Sequence, residues 1–272
     1  MKKIKLQRTA IIGYPLSHSM SPTLHSLLYT HAGISAQMKP IAHTDVSKLV
    51  NIIRNQNIGL TAVTMPFKES IIPHLDIIDN TAKAIGAVNT VINRNGKLTG
   101  YNTDAFGIKF ALGNTQIQKK NVLIVGSGGA AKAAAFVIKK KGGKIIFANR
   151  TNTNAKKLQK IFGGRVLSLK KISSRNIDVI INATPLGMGA LKTKTPVPNN
   201  ILSSHQTVFD LIYNPLETVL IKNARKKGAK TISGIELFTA QGIRQVELWS
   251  GKKLLTKILV EKSSKKITKK LQ

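Results

Sequence analysis

Short apolar runs alternate with amphipathic helical patterns along the 272-residue sequence. This alternation is typical of parallel β-sheets whose strands are joined by crossover helices. Ser21 and Pro22 supply a helix cap and a first-turn proline, and the leucines that follow share one helix face. The first part of the chain is therefore predicted to run strand, helix, strand, helix, strand over residues 5–13, 21–32, 36–42, 46–55 and 59–63.

A hairpin is predicted next, because Asn95-Gly96 lies between apolar runs at residues 88–93 and 97–101. This antiparallel pair is expected to close the first sheet. The pattern then restarts as strand, glycine turn and helix, with a helix at 130–141 and strands at 122–125, 144–148, 177–181 and 208–212. Helical spacing resumes near Leu237, and the lysine-rich end after Leu259 is predicted to be a helix that frays into solvent.

These patterns predict an α/β protein of two domains. An N-terminal α/β domain at residues 1–104 is expected to be completed by C-terminal helices at 237–272. Residues 105–236 are expected to form a Rossmann-type, doubly wound parallel sheet. In a chain of this length we expect a ligand cleft between the two domains.

Composition narrows the class of protein further. No run approaches the roughly 18 consecutive apolar residues of a membrane span, and Gly13-Tyr14-Pro15 interrupts the apolar start, so no signal peptide is expected. We therefore expect a cytoplasmic protein. The absence of cysteine excludes disulfides, thiolate ligands and a cysteine nucleophile, and no metal site is predicted.

The formal net charge is +32 at pH 7, which taken alone would suggest a nucleic acid or an anionic surface as partner. The lysines are spread along the chain, however, without an arginine-rich block or interleaved aromatic residues. We expect no specific nucleic acid and no membrane partner, only non-specific adhesion that salt weakens.

The most specific motif lies where a buried strand runs into Gly126-Ser127-Gly128-Gly129 and an alanine-rich helix follows from Ala130. The first glycine permits a tight turn, the second lets the backbone approach a pyrophosphate, and free N–H groups at the helix start face the anion. We interpret the motif as a dinucleotide site. The alternative is a glycine turn that only joins strand to helix.

The next strand ends at Asn149-Arg150-Thr151, where the residue that recognises the cofactor ribose belongs. No Asp or Glu occurs between Asp104 and Asp178, so the carboxylate that would bind the 2′-hydroxyl of NAD is missing. Arg150 can instead bind a 2′-phosphate through charge-assisted hydrogen bonds. NADP is therefore the predicted cofactor; the alternative interpretation of Arg150 is a solvated arginine in a basic protein.

Three loops of the first domain carry polar residues where strands end, the usual position of a ligand in open α/β sheets. Taken singly, each residue has an ordinary structural explanation, since serine before proline commonly caps a helix, lysine is usually solvated and aspartate often caps or turns. Their combination with the segment Gly86-Ala-Val-Asn-Thr90 is harder to explain in that way. The loop residues are Ser19, Ser21, Thr64, Lys68 and Asp104.

In this combination the chain resembles the shikimate dehydrogenase family. The resemblance covers residues 9–251, and so many motifs in order make coincidence an inadequate explanation. The matching segments are Gly13-Tyr-Pro-Leu-Ser-His-Ser-Met-Ser-Pro22, Pro66-Phe-Lys68, Ile85-Gly-Ala-Val-Asn-Thr90, Asn102-Thr-Asp104, the glycine turn, Asn149-Arg-Thr151, Asn182-Ala-Thr-Pro-Leu-Gly-Met188 and Gln241.

The resemblance implies an NADP-dependent, reversible reduction of 3-dehydroshikimate to shikimate, in the biosynthesis of chorismate and aromatic amino acids. Lys68 would be the general acid and base, and Asp104 would orient it. His18 and His25 are expected to serve the helix start and its packing. Substrate contacts would come from Ser19, Ser21, Thr64, Asn89, Asp104, Tyr213 and Gln241. Cofactor contacts would come from Gly126, Ser127, Gly128, Gly129, Ala130, Asn149, Arg150, Thr151, Leu211 and Gly234.

The chain departs from the family pattern at two positions. Ala62 stands where the family usually has the asparagine of Asn-Val-Thr, so an amide expected to bond a substrate hydroxyl is absent. Asn154 stands where many relatives have a second arginine, so selectivity for NADP is expected to be looser, with Lys156 and Lys157 as partial substitutes.

Two other functions stay open from the sequence. One is a quinate/shikimate dehydrogenase of the same fold with relaxed use of cofactor, and Arg150 without a neighbouring carboxylate argues against its NAD-preferring form. The other is a non-catalytic protein that binds a small ligand or nucleic acid, which intact Lys68 and Asp104 and the dispersed charge disfavour. Family members occur as monomers and dimers, so a homodimer is also left open.

Overall fold

A computed structural model of the chain describes residues 6–17, 19–168 and 171–272. They form two compact units. Unit 1 comprises the described residues up to Phe106 together with Thr239–Lys270 and Gln272, and unit 2 comprises Gly107–Phe238 with Leu271. Each unit contains one six-stranded sheet.

The described strands and helices alternate along most of the chain. The strands are β1 (Gln7–Gly13), β2 (Ala36–Ala42), β3 (Leu60–Val63), β4 (Ile77–Ile78), β5 (Thr90–Arg94), β6 (Lys97–Tyr101), β7 (Asn121–Val125), β8 (Lys144–Ala148), β9 (Arg165–Val166), β10 (Val179–Asn182), β11 (Thr207–Asp210) and β12 (Lys230–Ile232). The helices are α1 (Ser21–Ala32), α2 (Val46–Asn55), α3 (Asn80–Ile85), α4 (Asp104–Leu112), α5 (Gly129–Lys140), α6 (Asn152–Phe162), α7 (Val219–Lys226), α8 (Ile235–Ser250) and α9 (Lys257–Leu271).

The sheet of unit 1 has the order β2-β1-β3-β5-β6-β4. Strands β1, β2 and β3 are parallel, and β5 is antiparallel to both β3 and β6. The predicted hairpin is confirmed, and Asn95 and Gly96 both have positive φ, as a two-residue type I′ turn requires. The hairpin does not close the sheet, however, because the two-residue strand β4 pairs with β6 at the edge. So short a strand leaves no period-two pattern from which to predict it.

The two faces of this sheet are covered by different helices. Ala10, Ile12 and Val63 point to one face, where they share an apolar core with residues of α2 and α3. On the other face the Tyr29 hydroxyl of α1 donates to Thr9 Oγ1 at 2.8 Å. Side chains alternate between the faces of a strand, which explains why neighbouring residues of β1 meet different helices.

Helices α1 and α8 lie against each other on this second face. A Cβ atom at Gly242 of α8 would stand 2.6 Å from Leu24 Cδ2 of α1, so glycine allows this approach without displacing the Leu24 side chain. Tyr29 and Trp249 add an edge-to-face aromatic contact with ring centroids 5.7 Å apart. The face that α8 covers carries the polar network of unit 1 described below.

The sheet of unit 2 has the order β12-β11-β10-β7-β8-β9, and every neighbouring pair in it is parallel. Read from β9, the chain order of the strands is 3-2-1-4-5-6, the arrangement of a doubly wound dinucleotide-binding sheet. The predicted fold is thus confirmed. Strand order reverses between β7 and β10, and ligands of such sheets bind outside the carboxyl ends of the strands at this point.

Several predicted boundaries were wrong in detail. The third and fourth predicted strands of unit 2 are shorter than expected, since β10 begins at Val179 and β11 ends at Asp210. Ser21 is the first residue of α1 and does not cap it; Met20 occupies the cap position without a side-chain hydrogen bond to the helix. The start of the first predicted strand, at Lys5, lies outside the described residues.

The C-terminal helix also differs from the prediction. α9 does not fray after Leu259 but continues to Leu271. Its N-terminus is capped by the Thr256 hydroxyl, which accepts from the Leu259 N–H at 3.0 Å, and Val260 and Ile267 are buried. Lysines thus occupy the solvated face of an amphipathic helix. In the described part of the chain, no helix combines the length and apolar character of a membrane span.

Candidate active site

Lys68 and Asp104 form a close ion pair in unit 1. Lys68 lies in the turn after β3, where its carbonyl oxygen accepts from the Val88 N–H at 2.7 Å. Its Nζ donates to Asp104 Oδ2 at 2.5 Å. The two side chains are 20% and 9% exposed, so the lysine keeps some access to solvent while the carboxylate is nearly buried. An ammonium held in this way is placed to donate a proton.

Asp104 is the first residue of α4, but its neighbour Asn102 performs the capping. Asn102 Oδ1 accepts from the Ala105 N–H at 3.2 Å, and Asn102 Nδ2 donates to the Ala87 carbonyl at 2.9 Å. The structural explanation of Asp104 as a cap is therefore wrong. Its carboxylate lies in the first turn of the helix, where negative charge is favourable, and both its oxygens face other site residues.

Asn89 connects the ion pair to the rest of the site. Its Nδ2 donates to Asp104 Oδ1 at 2.8 Å and to Thr103 Oγ1 at 3.0 Å, and it lies 3.4 Å from Gln241 Oε1. Its Oδ1 accepts from the Thr103 N–H at 2.7 Å. Asn89, Asp104 and Gln241 are all buried. Four predicted site residues, counting Lys68, thus belong to one hydrogen-bond network.

The predicted carboxylate-binding serines lie at the start of α1. Ser19 Oγ accepts from the Ser21 N–H at 3.3 Å, a weak bond that orders the loop before the helix. Ser19 is half-buried and Ser21 is buried. His18, which we expected to support this helix start, lies outside the described residues. Thr64 is half-buried after β3, with its N–H donated to the Ile12 carbonyl at 2.9 Å.

His25 is fully buried one turn into α1, in keeping with the expected packing function. Its Nδ1 lies 2.9 Å from the Ser21 carbonyl, which can only accept, so Nδ1 carries the proton. Burial lowers the pKa of His25 to about 4, and hydrogen bonding by the Ser21 carbonyl and, in the protonated ring, by the Gln245 side chain only partly opposes the shift. The imidazole is therefore neutral near pH 7.

The glycine turn of unit 2 lies at the point where strand order reverses. Gly126 has φ +117°, and a Cβ there would stand 2.7 Å from the Ala183 carbonyl oxygen after β10, so the protein itself requires glycine. A Cβ at Gly128, in contrast, would meet no protein atom within 4 Å. The packing of the chain therefore does not require glycine at this second position, and the space beside its backbone is open to a ligand.

Helix α5 begins directly after this turn. Its first intrahelical bond runs from the Lys132 N–H to the Gly128 carbonyl, at 3.0 Å. The N–H groups of Gly129 and Ala130 therefore lie before the helical ladder and are free of it, as at any helix start. With half-buried Ser127 beside them, these donors suit a diphosphate, so the residues present fit a dinucleotide.

Asn149, Arg150 and Thr151 lie between β8 and α6. Asn149 Nδ2 donates to the Thr151 carbonyl at 3.1 Å, which orders the turn. Thr151 is the cap residue of α6, but its hydroxyl makes no capping bond. Arg150 is exposed and, among the described residues, no carboxylate forms an ion pair with it. Its guanidinium is thus available to an anion.

Leu211 and Gly234, the two predicted neighbours of the nicotinamide, lie together in unit 2. The Gly234 N–H donates to the Ile212 carbonyl at 3.1 Å, and a Cβ at Gly234 would stand 2.6 Å from that oxygen. Tyr213 stacks on Phe238 with ring centroids 3.9 Å apart. Both residues belong to unit 2, whereas the other predicted substrate residues belong to unit 1.

A buried carboxylate, Asp210, holds the same region in place. Thr218 Oγ1 donates to Oδ2 at 2.6 Å, while Asn182 Nδ2 and the Ile212 N–H donate to Oδ1 at 3.0 and 3.1 Å. Burial raises the pKa of Asp210 to about 6, although the three hydrogen bonds lower it in part. Asp210 thus ties together the loops that follow β10 and β11.

Three residues of the site network were not predicted from the sequence. Thr90 and Thr103 stand beside residues that were predicted, and only the fold reveals that their hydroxyls meet at 3.2 Å. Gln245 donates to the Asn89 carbonyl at 3.2 Å and to Thr90 Oγ1 at 3.0 Å. A signal for Gln245 did exist, because it follows Gln241 by four residues and so lies on the same helix face.

Comparison with known families agrees with this geometry. Residues 11–91 match the family model described as the shikimate dehydrogenase substrate binding domain. Residues 109–209 match the model described as shikimate / quinate 5-dehydrogenase. The first match covers strands of the unit 1 sheet, and the second covers strands of the unit 2 sheet.

Comparison with individual proteins also finds similarity to shikimate dehydrogenases. The chain is 39% identical over 259 residues to a shikimate dehydrogenase (NADP(+)) from Methanosphaera stadtmanae, covering 90% of this chain and 91% of the relative. It is similar to a crystal structure of a shikimate dehydrogenase in complex with NADP+, with 34% identity, a TM-score of 0.91 and coverage of 100% of this chain and 98% of the other. The shikimate 5-dehydrogenase of Thermus thermophilus in complex with NADP(H) and shikimate has a TM-score of 0.86 at 31% identity, over 96% and 99% of the two chains. On these matches, the chain belongs to the shikimate dehydrogenase family.

Proposed function

We propose that this protein catalyses the NADP-dependent, reversible reduction of 3-dehydroshikimate to shikimate, a step toward chorismate and the aromatic amino acids. The observation that carries the proposal is the 2.5 Å contact between Lys68 and Asp104, within one network with Asn89 and Gln241. Relatives named shikimate dehydrogenase (NADP(+)) at 35–39% identity support it.

Unit 1 is proposed as the substrate domain and unit 2 as the NADP domain. Ser19 and Ser21 would bind the substrate carboxylate, and the substrate hydroxyls would contact the polar side chains of the network. These contacts are assigned to Thr64, Lys68, Asn89, Asp104 and Gln241, with Tyr213 as a contact from unit 2. The expected location in the cytoplasm also stays a prediction.

The cofactor would be held by main-chain donors and one cation. The N–H groups at the glycine turn and the start of α5 would bind the diphosphate, and Arg150 would bind the 2′-phosphate. Asn149 and Thr151 would contact the ribose, and Leu211 and Gly234 would border the nicotinamide. NADPH, when bound, supplies the hydride that reduces a carbonyl carbon.

Lys68 and Asp104 divide the remaining chemistry between them. As the carbonyl is reduced, negative charge grows on its oxygen, and the Lys68 ammonium stabilises this charge and donates its Nζ proton to the oxygen. Asp104 keeps Nζ in place by accepting from it. In the reverse direction neutral Lys68 would accept the hydroxyl proton.

One absorbance assay tests this proposal. NADPH and NADH consumption would be compared with 3-dehydroshikimate as substrate, and then with 3-dehydroquinate. We expect the highest kcat/KM for 3-dehydroshikimate with NADPH. Faster turnover of 3-dehydroquinate would favour a quinate dehydrogenase, faster oxidation of NADH would overturn the cofactor assignment, and no turnover of either substrate would leave a binding protein.

A further inference from the structure

Gln245 lies on the buried face of α8, only 1% exposed, and the proposed reaction makes no use of it. We propose that Gln245 is a positioning residue of the substrate site, which holds Asn89 and Thr90 in place and supplies the amide that the chain lacks at Ala62. The inference rests on the proposed function, because it concerns the site where Asn89 would contact substrate.

The orientation of the Gln245 amide is fixed by its neighbours. Nε2 lies 3.2 Å from the Asn89 carbonyl oxygen and 3.0 Å from Thr90 Oγ1. A carbonyl oxygen can only accept, so the nitrogen of the amide must face it. Gln245 thus bonds both the main chain of one site residue and the side chain of the next.

Thr90 transmits this contact to the reacting groups. Its hydroxyl accepts from Gln245 and donates to Asn89 Oδ1 at 2.8 Å. With Oδ1 held in this way, Asn89 Nδ2 is directed at Asp104 Oδ1, 2.8 Å away. Asp104 in turn holds Lys68. A continuous set of hydrogen bonds therefore runs from Gln245 to Lys68.

The register of the sheet places Ala62 in the same environment. Ala62 of β3 stands opposite Thr90 of β5 in the antiparallel pair. Directly opposed residues point to the same face, and Thr90 points to the face that α8 covers. The asparagine usual at position 62 would therefore project toward the place that the Gln245 amide occupies.

Stability alone does not explain a glutamine here. Gln245 Oε1 and His25 Nε2 are buried atoms without a hydrogen-bond partner in the described structure. His25 Nδ1 donates to the Ser21 carbonyl, so Nε2 of the neutral ring is an acceptor, as is Oε1. Unpartnered buried acceptors destabilise a fold, so the Oε1 end of the amide does not explain the choice of glutamine at this position. The amide nitrogen is the part of Gln245 that the site uses.

The first test replaces Gln245 by an apolar side chain of similar length. Gln245→Met should raise the KM for shikimate about tenfold, the effect of losing hydrogen bonds that orient the site, while the KM for NADP changes by less than about twofold. Gln206→Met is the matched control, because Gln206 is a buried glutamine of unit 2 whose Nε2 donates to three carbonyl groups. Gln206→Met should lower Tm about as much as Gln245→Met does, without raising the KM for shikimate.

The second test moves the amide from α8 to position 62 of β3. Gln245→Ala should raise the KM for shikimate as Gln245→Met does, and Ala62→Asn combined with Gln245→Ala should return it to within about threefold of the unmodified protein. Ala62→Asn alone should crowd the site and lower Tm. If Gln245→Met fails to fold, the comparison of Gln245→Ala with the double variant still tests the inference.

The outcomes separate the two proposals. An unmodified protein that turns over neither shikimate nor 3-dehydroshikimate would remove the proposed function and this inference with it. If the unmodified protein is active, three results would each overturn the inference alone: an unchanged shikimate KM in Gln245→Met, an equal rise in the KM values for shikimate and NADP, or a double variant no better than Gln245→Ala.

Discussion

At the scale of single residues, the site depends on side chains that do not perform their usual structural functions. Asn102 caps α4, so the Asp104 carboxylate can hold Lys68. Met20 occupies the cap position of α1, so the Ser21 hydroxyl is not used for capping. The motifs predicted that these residues belong to the site. They did not predict which residues cap the helices, because the geometry of a single turn decides capping.

Lys68→Ala tests the proton donor. We expect kcat to fall by about 10² to 10⁴, with a smaller change in KM, because the ammonium acts on charge that exists only during reaction. Lys48→Ala, at an exposed lysine of α2, is the control and should retain normal turnover. Steady-state assays of both variants suffice, and near-normal kcat in Lys68→Ala would exclude this residue from the mechanism.

Arg150→Ala tests the cofactor assignment. Loss of charge-assisted hydrogen bonds to a 2′-phosphate should raise the KM for NADP about 10- to 150-fold and leave the KM for NAD nearly unchanged. Arg165→Ala, which removes another exposed arginine of unit 2, should change neither value. Equal effects of Arg150→Ala on both cofactors would contradict recognition of the 2′-phosphate.

Asp210 makes a prediction about pH. Its pKa of about 6 in the folded protein lies above the ordinary 3.8, so the native state holds the proton more tightly than the unfolded chain. The resulting stabilisation is complete below about pH 4 and is lost as pH rises through 6, a change of about 3 kcal/mol. Urea unfolding would be measured for the unmodified protein and for Asp210→Asn at about pH 4 and 7. Between these pH values the unmodified protein should lose about 3 kcal/mol of unfolding free energy relative to the variant. A constant difference would show that Asp210 titrates normally.

At the scale of elements, strands and helices with strong local signals were predicted closely, and short or weak ones were missed. α1, α2, β2, β6 and β8 have the predicted bounds, since caps, turns and periodic apolar positions mark their ends. The edge strands β4, β9 and β12 have two or three residues and were not predicted. Such segments become strands only because a longer neighbour offers them hydrogen bonds.

The C-terminal helix α9 permits a test within one element. Ile267 is fully buried and Ile258 is 64% exposed, although both lie on the same helix. Ile267→Ala should lower the free energy of unfolding by about 2 to 5 kcal/mol, whereas Ile258→Ala should change it by less than about 0.5 kcal/mol. Urea denaturation measures both values. Equal, small effects would mean that the helix does not pack and frays as the lysines first suggested.

At the scale of the whole molecule, the excess of 43 Lys and Arg over 11 Asp and Glu determines behaviour in solution without determining the fold. The described ion pairs are few for so many cations, so most of the positive charge faces solvent. This solvated charge is the physical basis of the expected non-specific adhesion to nucleic acid, which salt weakens.

Binding to unrelated DNA duplexes tests this interpretation of the charge. Affinity should fall by about 10³-fold or more between about 50 and 200 mM KCl and should not depend on sequence, because dispersed lysines contact phosphates alone. Fluorescence anisotropy with duplexes of different sequence measures both properties. Retained affinity for one duplex at the higher salt concentration would indicate a specific site.

The sequence by itself determined what depends on local sterics and spacing. The turn at Asn95 and Gly96, the glycine turn at Gly126 and the alternation of strands and helices follow from φ preferences and periodicity, which act over a few residues. Only the tertiary structure decided which polar groups meet. Lys68 and Asp104 are 36 residues apart, and Asn89 and Gln245 are 156 apart. Those contacts depend on sheet register and on the packing of α8 against a face of the sheet, and a one-residue shift of register would place the same side chains on opposite faces.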